Sequence, residues 1–221
     1  MHGDVVEFFD AAYLRHDRYW WRVAHRYSTS PTDHINSLIT MHLLEELRGQ
    51  PPGAALDIGA GEGSDAIRLA MLGYEVEAVE LSSIGAAKVQ RFAREAGVGD
   101  LINVLNIDAR KFRADRQYDV VICNGVLHYI ADKRHLITLL QDSTVAGGYH
   151  AIALWSNMSP VPNCHRTVDV YPDAEDGVVM KMYEGWKVHG PWFEHNKVDL
   201  SHPSPDLHRH SHIKFIARKP G

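Results

Sequence analysis

The sequence predicts an α/β fold, in which a mostly parallel sheet of seven strands carries helices on both faces and ends in an antiparallel strand pair. From residue 54 onward, short apolar runs alternate with segments of helical periodicity, which is typical of parallel strands joined by helices. The first run and the first helix are separated by a turn with three alternating glycines, Gly59, Gly61 and Gly63. With 221 residues, 45% of them hydrophobic, the chain is long and apolar enough to form one such domain.

Residues 1–53 are expected to form an N-terminal helical segment, followed by the main domain at 54–221. Asp4 is placed to cap a helix over residues 5–14, which has apolar side chains on one face. After a loop rich in Ser, Thr and Pro, a second helix is expected from about residue 34 to 47.

An aromatic run, residues 19–21, lies between these two helices. It is interleaved with the arginines Arg15, Arg18, Arg22 and Arg26. One interpretation is a helix that packs its rings on the core and leaves the arginines in solvent. The other is a lid over a binding site, in which large amphipathic rings exclude water.

The glycine-rich turn follows the first strand, residues 54–58, and precedes a helix that ends by Gly73. Glycines let a ligand lie against the backbone, and the helix N-terminus offers free N–H groups. The dinucleotide pattern G-x-G-x-x-G would need a glycine where this chain has Ser64. Asp57, two residues before the first glycine, suits a cationic ligand better than a pyrophosphate. A nicotinamide or nucleotide site, and a turn that binds nothing, are the alternatives.

The second strand, residues 75–80, ends on a carboxylate. Glu80 comes 17 residues after Gly63, the distance expected for a group at the end of the neighbouring strand. There it can accept both hydrogens of a ribose diol. NAD sites use an acidic residue in the same way, so Glu80 favours a nucleoside ligand without choosing the cofactor. The alternative is a solvated strand end.

The rest of the sheet follows in regular order. Ser82 or Ser83 caps the helix after the second strand, and Asp132 caps the helix before the fifth. The remaining strands are expected at 101–106, 118–123, 147–154, 186–189 and 213–218. Residues 155–178 lack periodicity and contain three prolines, which indicates a loop of the kind that often covers a site.

Residues 57–63, DIGAGEG, resemble motif I of the class I S-adenosylmethionine (SAM) methyltransferases, which have a Rossmann-like sheet. Glu80, Asp108, the end of the fourth strand and the Gly147-Gly148 pair fall in that family's order. The resemblance implies that the turn holds the amino-acid end of SAM, with Asp57 at its ammonium group. It also implies that Glu80 binds the ribose and Asp108 the adenine amino group. The implied SAM-binding residues are Asp57, Gly59, Ala60, Gly61, Gly63, Glu80, Leu81, Asp108, Ala109, Asn124 and Gly125.

The end of the fourth strand faces the transferred methyl group in that family. Methyltransferases that act on nucleic acids or on protein glutamine carry Asn/Asp-Pro-Pro-aromatic there, whereas this chain has NGVL at 124–127 and so resembles the small-molecule branches. His128 and Tyr129 are therefore candidates to line the acceptor pocket. For His128, simple packing with a hydrogen bond is the alternative.

The C-terminal part is similar to the tellurite-resistance SAM methyltransferases, through MYEGW at 182–186 and through the stretch 206–219. The similarity implies that His208 and Arg209 act on the methyl acceptor. His212 stands where that family has a further arginine, a residue suited to an oxyanion. That difference weighs against carrying over tellurite as the acceptor.

Six of the 15 histidines fall between His189 and His212. We expect no metal site there. Strand alternation places His208, His210 and His212 on one face without making them converge tetrahedrally, and Asp206 is the one nearby acidic residue with suitable spacing. A cluster that binds the acceptor or supplies a base is the preferred interpretation.

Composition excludes several classes of protein. A net charge of −5 argues against nucleic-acid binding, which depends on neutralising phosphates. The two cysteines, Cys123 and Cys164, form no C-x-x-C and fit a reducing compartment. The sequence shows no signal peptide and no apolar stretch of membrane-spanning length. We therefore expect a soluble, cytoplasmic protein that binds neither membrane nor nucleic acid.

The function expected from these features is SAM-dependent methyl transfer to nitrogen, oxygen, sulfur or selenium of a small or natural-product-type acceptor. Two alternatives stay open, namely a methyltransferase that detoxifies tellurite or selenite and a SAM-binding protein without turnover. Neither the acceptor nor the oligomeric state can be derived from the sequence.

Overall fold

The computed structural model, which describes residues 4–20, 38–175, 177–199, 202 and 208–221, contains a seven-stranded mixed sheet. The strands are β1 (Ala54–Ile58), β2 (Glu75–Val79), β3 (Ile102–Leu105), β4 (Tyr118–Asn124), β5 (Thr144–Trp155), β6 (Lys187–Val198) and β7 (Arg209–Arg218). Their order in the sheet is β3-β2-β1-β4-β5-β7-β6. The strands β1 to β5 are parallel to one another, and β7 runs antiparallel to both β5 and β6. The predicted fold class is confirmed.

Helices cover both faces of the sheet. In the described residues they are α1 (Val5–Arg15), α2 (Leu38–Glu46), α3 (Ser64–Met71), α4 (Ser83–Glu95), α5 (Lys133–Asp142) and α6 (Val178–Lys181). On one face, Leu43 of α2 and Leu69 of α3 belong to one buried cluster. On the other face, Leu136 of α5 and Val179 of α6 belong to a second cluster. The buried strands between the two clusters explain why the fourth strand reads as a nearly continuous apolar run.

The N-terminal part of the chain contains two helices in the described residues. Helix α1 begins after Asp4, whose carboxylate accepts a hydrogen bond from the N–H of Val6 at 2.9 Å. Helix α2 falls inside the range expected for the second helix. Trp21, Arg22 and Arg26, and the loop between the two helices, lie outside the described residues. The division of the chain at residue 53 stays a prediction.

The final strand pair is longer than the sequence predicts, because β6 spans Lys187–Val198 and β7 spans Arg209–Arg218. The added portions contain consecutive polar side chains, as in the run RHSH at 209–212, and apolar periodicity does not detect such strands. The expected loop at 155–178 contains a 3-10 turn at Asn163–His165, and helix α6 begins at its end.

This topology fixes the position of the site. The carboxyl ends of the parallel strands β1, β2 and β4 meet along one edge of the sheet, where open α/β sheets bind their ligands. Among the described residues, no helix combines the length and the apolar character needed to cross a membrane.

Candidate active site

The turn between β1 and α3 requires glycine at three positions. Gly59, Gly61 and Gly63 have positive φ angles of 71°, 59° and 88°. A Cβ atom on Gly59 would lie 2.1 Å from Cγ2 of Val126, and one on Gly63 would lie 2.9 Å from Cγ1 of Val89. Both the backbone conformation and the space therefore exclude larger residues.

Two carboxylates lie where this turn enters helix α3. Buried Asp57 accepts a hydrogen bond from the N–H of Ala66 at 3.0 Å. Asp65 accepts hydrogen bonds from Thr40 Oγ1 at 2.7 Å and from Asn124 Nδ2 at 3.0 Å. Burial raises the pKa of both carboxyl groups above the usual range, and the nearby Asp65 adds to the effect on Asp57. A cationic group of a ligand would stabilise the ionised forms.

Glu80 lies directly after β2 and is buried. Its carboxylate accepts hydrogen bonds from the N–H groups of Gly61 and Ser82, each at 2.8 Å. Burial raises the pKa of Glu80 to about 7, although these two hydrogen bonds act in the opposite direction. These hydrogen bonds hold the Glu80 carboxylate, at the end of β2, against the glycine turn that follows β1.

A cavity of about 1460 Å³ lies along this edge of the sheet. Gly63 does not line the cavity, and a Cβ atom on it would point towards Val89 of α4. The other sequence-predicted SAM-binding residues all line the cavity: Asp57, Gly59, Ala60, Gly61, Glu80, Leu81, Asp108, Ala109, Asn124 and Gly125. The structure thus brings together residues that the sequence analysis drew from four separate strand ends.

Asp108 caps a short 3-10 turn after β3 and lines the cavity. Its carboxylate accepts from the backbone N–H of Arg110 at 2.8 Å and from the Arg110 Nε–H at 2.9 Å. The Arg110 guanidinium lowers the pKa of Asp108 below its usual range. Asp108 is therefore ionised at neutral pH, and its contact with an adenine stays a prediction.

Aromatic residues of the N-terminal segment cover the glycine turn. Tyr13 and Trp20 line the cavity, and the Tyr13 hydroxyl accepts a hydrogen bond from Trp20 Nε1 at 3.0 Å. Buried Glu62 fixes this segment, because its carboxylate accepts from the backbone N–H groups of Tyr19 and Trp20 at 2.8 and 2.9 Å. Glu62 also forms an ion pair with Lys88 of α4 at 2.8 Å.

The opposite end of the cavity is lined by His128, Tyr129, Trp155 and His165. The His128 ring stacks on Trp155 with a centroid separation of 4.1 Å, and its Nδ1 accepts from the Trp155 N–H at 3.3 Å. Burial lowers the pKa of His128 well below its usual value. The Tyr129 hydroxyl lies 3.2 Å from Nδ1 of His165. Both residues predicted at the acceptor end thus line the cavity.

His208 and Arg209 are the other predicted catalytic residues. Their side chains lie on opposite faces, because successive residues of an extended strand alternate in direction. Arg209 is exposed and donates a hydrogen bond to the carbonyl oxygen of Asn196 at 2.7 Å, outside the residues that line the cavity. His208 is buried. The histidine rings next to it are those of His165, His202 and His210. Neither residue is among those that line the cavity, and the joint role of the pair stays a prediction.

Three of the residues described above were missed by the sequence analysis. Glu62 lies within the glycine motif and Asp65 follows it closely, so their position in the sequence could have marked both as candidate site residues. His165 lies in the segment interpreted as a loop, where no periodic pattern indicates which side chains face inward.

Comparison with known proteins relates most of the chain to one family. The family model for the tellurite resistance protein TehB matches residues 25–199. Hemagglutinin 1 of Eikenella corrodens is 26% identical over 193 residues, which cover 84% of this chain and 62% of that protein. A ubiquinone biosynthesis O-methyltransferase of Rickettsia felis is 27% identical over 124 residues, which cover 53% of this chain and 48% of that protein. The chain thus spans about half to six tenths of the length of these relatives.

Solved structures show the same fold. TehB from Haemophilus influenzae superimposes with a TM-score of 0.68 at 19% identity, covering 86% of this chain and 67% of that one. The magnesium protoporphyrin IX methyltransferase ChlM of Synechocystis with bound S-adenosylhomocysteine (SAH) gives 0.67 at 17% identity, covering 97% of both chains. The resemblance to class I SAM methyltransferases is confirmed, and the chain belongs to the TehB family.

Proposed function

We propose that this chain is a SAM-dependent methyltransferase that transfers the methyl group to a nitrogen, oxygen, sulfur or selenium atom of a small acceptor. The observation that carries the proposal is the continuous cavity. It joins the glycine turn and Glu80 at one end to a wall of aromatic and histidine side chains at the other. Membership of the TehB family and the methyltransferase relatives support it.

SAM would lie along the edge of the sheet. Its ammonium group suits the carboxylate pair of Asp57 and Asp65 at the N-terminus of α3, and its ribose diol suits Glu80. Tyr13 and Trp20 lie directly against Gly61, since a Cβ there would lie 3.2 Å from both the Tyr13 hydroxyl and Trp20 Nε1. The N-terminal segment then serves as the cover of the cofactor.

Methyl transfer from a sulfonium needs alignment more than acid–base chemistry. The acceptor lone pair attacks the methyl carbon as the bond from carbon to sulfur breaks, and the sulfur leaves as the neutral thioether SAH. Alignment in a water-excluding site can supply about 7–11 kcal/mol of the barrier. A general base adds about 10²–10⁴-fold when the acceptor must also lose a proton. The enclosed aromatic wall supplies the first of these effects.

His128 orients the acceptor in this proposal. Because its Nδ1 accepts from the Trp155 N–H, the neutral ring carries its proton on Nε2. Burial keeps the ring neutral at physiological pH. His128 therefore offers a hydrogen-bond donor to a heteroatom of the acceptor. Tyr129 and Trp155 pack around it.

The test is formation of SAH when the full chain is incubated with SAM and a panel of small amines, phenols, carboxylates, thiols, selenite and tellurite. We expect methylation of at least one organic acceptor. Turnover with tellurite or selenite alone would select the detoxifying alternative. Calorimetric binding of SAM without SAH formation from any acceptor would instead indicate a binding protein without turnover.

A further inference from the structure

Four histidines converge next to the acceptor end of the cavity. His165 comes from the segment after β5, His202 from the connection between β6 and β7, and His208 and His210 from the start of β7. One ring nitrogen of each lies within 4.8 Å of the corresponding nitrogen of every other. All four side chains are buried, with exposed fractions of 1% to 9%. Such convergence from separate segments is unlike the random spacing of surface histidines.

A carboxylate lies among these rings. Oδ2 of Asp199 is 3.2 Å from Nε2 of His210, 3.5 Å from Nε2 of His202 and 3.7 Å from Nε2 of His208. Bonds of about 2.0–2.1 Å in tetrahedral geometry place neighbouring ligand atoms about 3.3–3.4 Å apart. The three observed separations bracket that spacing, so Asp199 Oδ2 lies about as far from each of these nitrogens as two ligands of one metal ion lie from each other.

Two of the rings are held from behind by tyrosines. The Tyr129 hydroxyl is 3.2 Å from Nδ1 of His165, and the Tyr19 hydroxyl is 2.9 Å from Nδ1 of His202. Metal-binding histidines are usually fixed in this way through the ring nitrogen that does not bind the metal. The arrangement directs the Nε2 atoms of both rings towards the cluster.

The buried Nε2 of His165 has no hydrogen-bond partner among the described residues. A polar atom in such a position ordinarily has a partner in protein, water or an ion. Trp155 closes the cluster on one side, with its ring 4.0 Å from that of His210. Imidazole and carboxylate ligands together are typical of sites for zinc and the neighbouring late first-row metals.

We propose that His165, His202, His208 and His210, with Asp199, form a binding site for one divalent transition-metal ion of the zinc class. The inference departs from the expectation of no metal, which considered the histidines of the final strand alone. His212, the third of those, is not part of the site and lies 3.5 Å from Glu194 through its Nδ1. His165, His202 and Asp199 also line the cavity, so the ion would be reached from it. The proposal does not depend on methyl transfer.

The first experiment titrates the chelator-treated full chain with zinc in competition with a chromogenic chelator, without SAM. We expect one zinc ion per chain. Loss of a hydrogen-bond partner behind a metal ligand typically weakens metal binding by about 10–100-fold. Loss of a ligand itself costs more, so His165→Ala and His210→Ala should each weaken zinc binding by at least about 100-fold. Tyr129→Phe, which removes only the hydroxyl behind His165, should weaken it by about 10–100-fold.

His195→Ala is the matched control, because His195 is an exposed histidine on the adjacent strand β6. It should bind zinc as the unchanged chain does. Circular dichroism establishes that each variant is folded. Zinc affinity that is the same in His165→Ala, His210→Ala and the control would overturn the proposal.

X-ray absorption at the zinc edge of the unchanged chain gives an answer even if the variants do not fold. We expect scattering from at least three imidazole ligands and no sulfur. Fewer imidazoles, sulfur from Cys164, or no bound zinc would each overturn the proposal.

Discussion

The two ends of the cavity are built in different ways. At the cofactor end, the glycine turn, the first turn of α3 and Glu80 come from two adjacent strand ends and are fixed by backbone hydrogen bonds. At the histidine end, side chains from distant segments meet, as in the contact between Tyr19 and His202, which are 183 positions apart. The first end is a local property of the chain, and the second exists only in the folded protein.

Because of this difference, we expect the two ends to respond to different substitutions. Changes in the glycine turn should abolish cofactor binding and leave the histidine cluster intact. A change that displaces the backbone of the N-terminal segment should affect both ends, because Tyr13 covers Gly61 while Tyr19 contacts His202.

The substitution Gly59→Ala should weaken SAH binding by at least 100-fold in calorimetry. The added Cβ would lie 2.1 Å from Val126. The alanine would also have to adopt the positive φ of Gly59, which costs about 1–2 kcal/mol. Zinc binding should change by less than about threefold, since the histidine end is separate.

Gly97→Ala is the matched control for Gly59→Ala. Gly97 has a similar φ of 74° but no atom within 4 Å of the added Cβ. It should lose about 1–2 kcal/mol of stability and keep its SAH affinity. Equal loss of SAH binding in both variants would mean that general backbone strain, and not the geometry of the glycine turn, lowers the SAH affinity.

The substitution Glu62→Gln should lower the free energy of unfolding by about 3 kcal/mol, because it leaves the charge of buried Lys88 without its ion-pair partner. Urea denaturation measures the loss. Glu45→Gln, in the exposed pair with Arg48, should cost at most about 1 kcal/mol.

Glu62→Gln should also weaken both SAH and zinc binding, since Glu62 holds the backbone of Tyr19 and Trp20. If only SAH binding falls, the N-terminal segment does not couple the two ends.

The substitution Glu80→Gln should weaken SAH binding by about 10-fold through loss of a charge-assisted contact. Because the pKa of Glu80 is about 7, SAH affinity of the unchanged chain should rise from pH 6 to pH 8 as the carboxylate ionises. The variant should show no such rise. A rise of the same size in the variant would assign the titration to another group.

Glu80 also affects stability, with the opposite dependence on pH. Between its ordinary pKa of 4.5 and about 7, the folded chain keeps a proton that the unfolded chain has lost. Stability without ligand therefore falls as pH rises through this range. Glu80→Gln should reduce the fall between pH 5 and pH 8 in urea denaturation. Part of the fall should persist, because the pKa values of Asp57 and Asp65 are raised too.

The smallest effect is expected for Tyr13→Phe, which removes the acceptor of the Trp20 Nε1 hydrogen bond. A single hydrogen bond contributes about 0.5–1.5 kcal/mol, so SAH affinity should fall about 2- to 10-fold. Calorimetry with zinc should show no change. A larger effect on zinc than on SAH would contradict the assignment of Tyr13 to the cofactor end.

The sequence was most informative where function depends on local structure. Glycines that need positive φ, an acidic residue at a strand end and the capping residues Asp4, Ser82 and Asp132 all leave a pattern in adjacent positions, and the structure has each cap in place. Apolar periodicity likewise located the parallel strands, because both of their faces are buried.

The histidine end could not be predicted for a physical reason. His165 follows β5 in an aperiodic segment, and its neighbours depend on the antiparallel return of β7 beside β5. The final strands were underestimated because their inward residues are polar. The resemblance to the tellurite-resistance family pairs Arg209 with His208, yet successive residues of an extended strand point to opposite faces.

The decisive experiment is calorimetric titration of the full chain with SAH, with NADH as the competing nucleotide. The claim it tests is that the glycine turn and Glu80 bind the nucleoside and amino-acid parts of SAM. We predict one SAH site per chain and no heat from NADH. Binding of NADH, or no heat from either SAH or SAM, would contradict it.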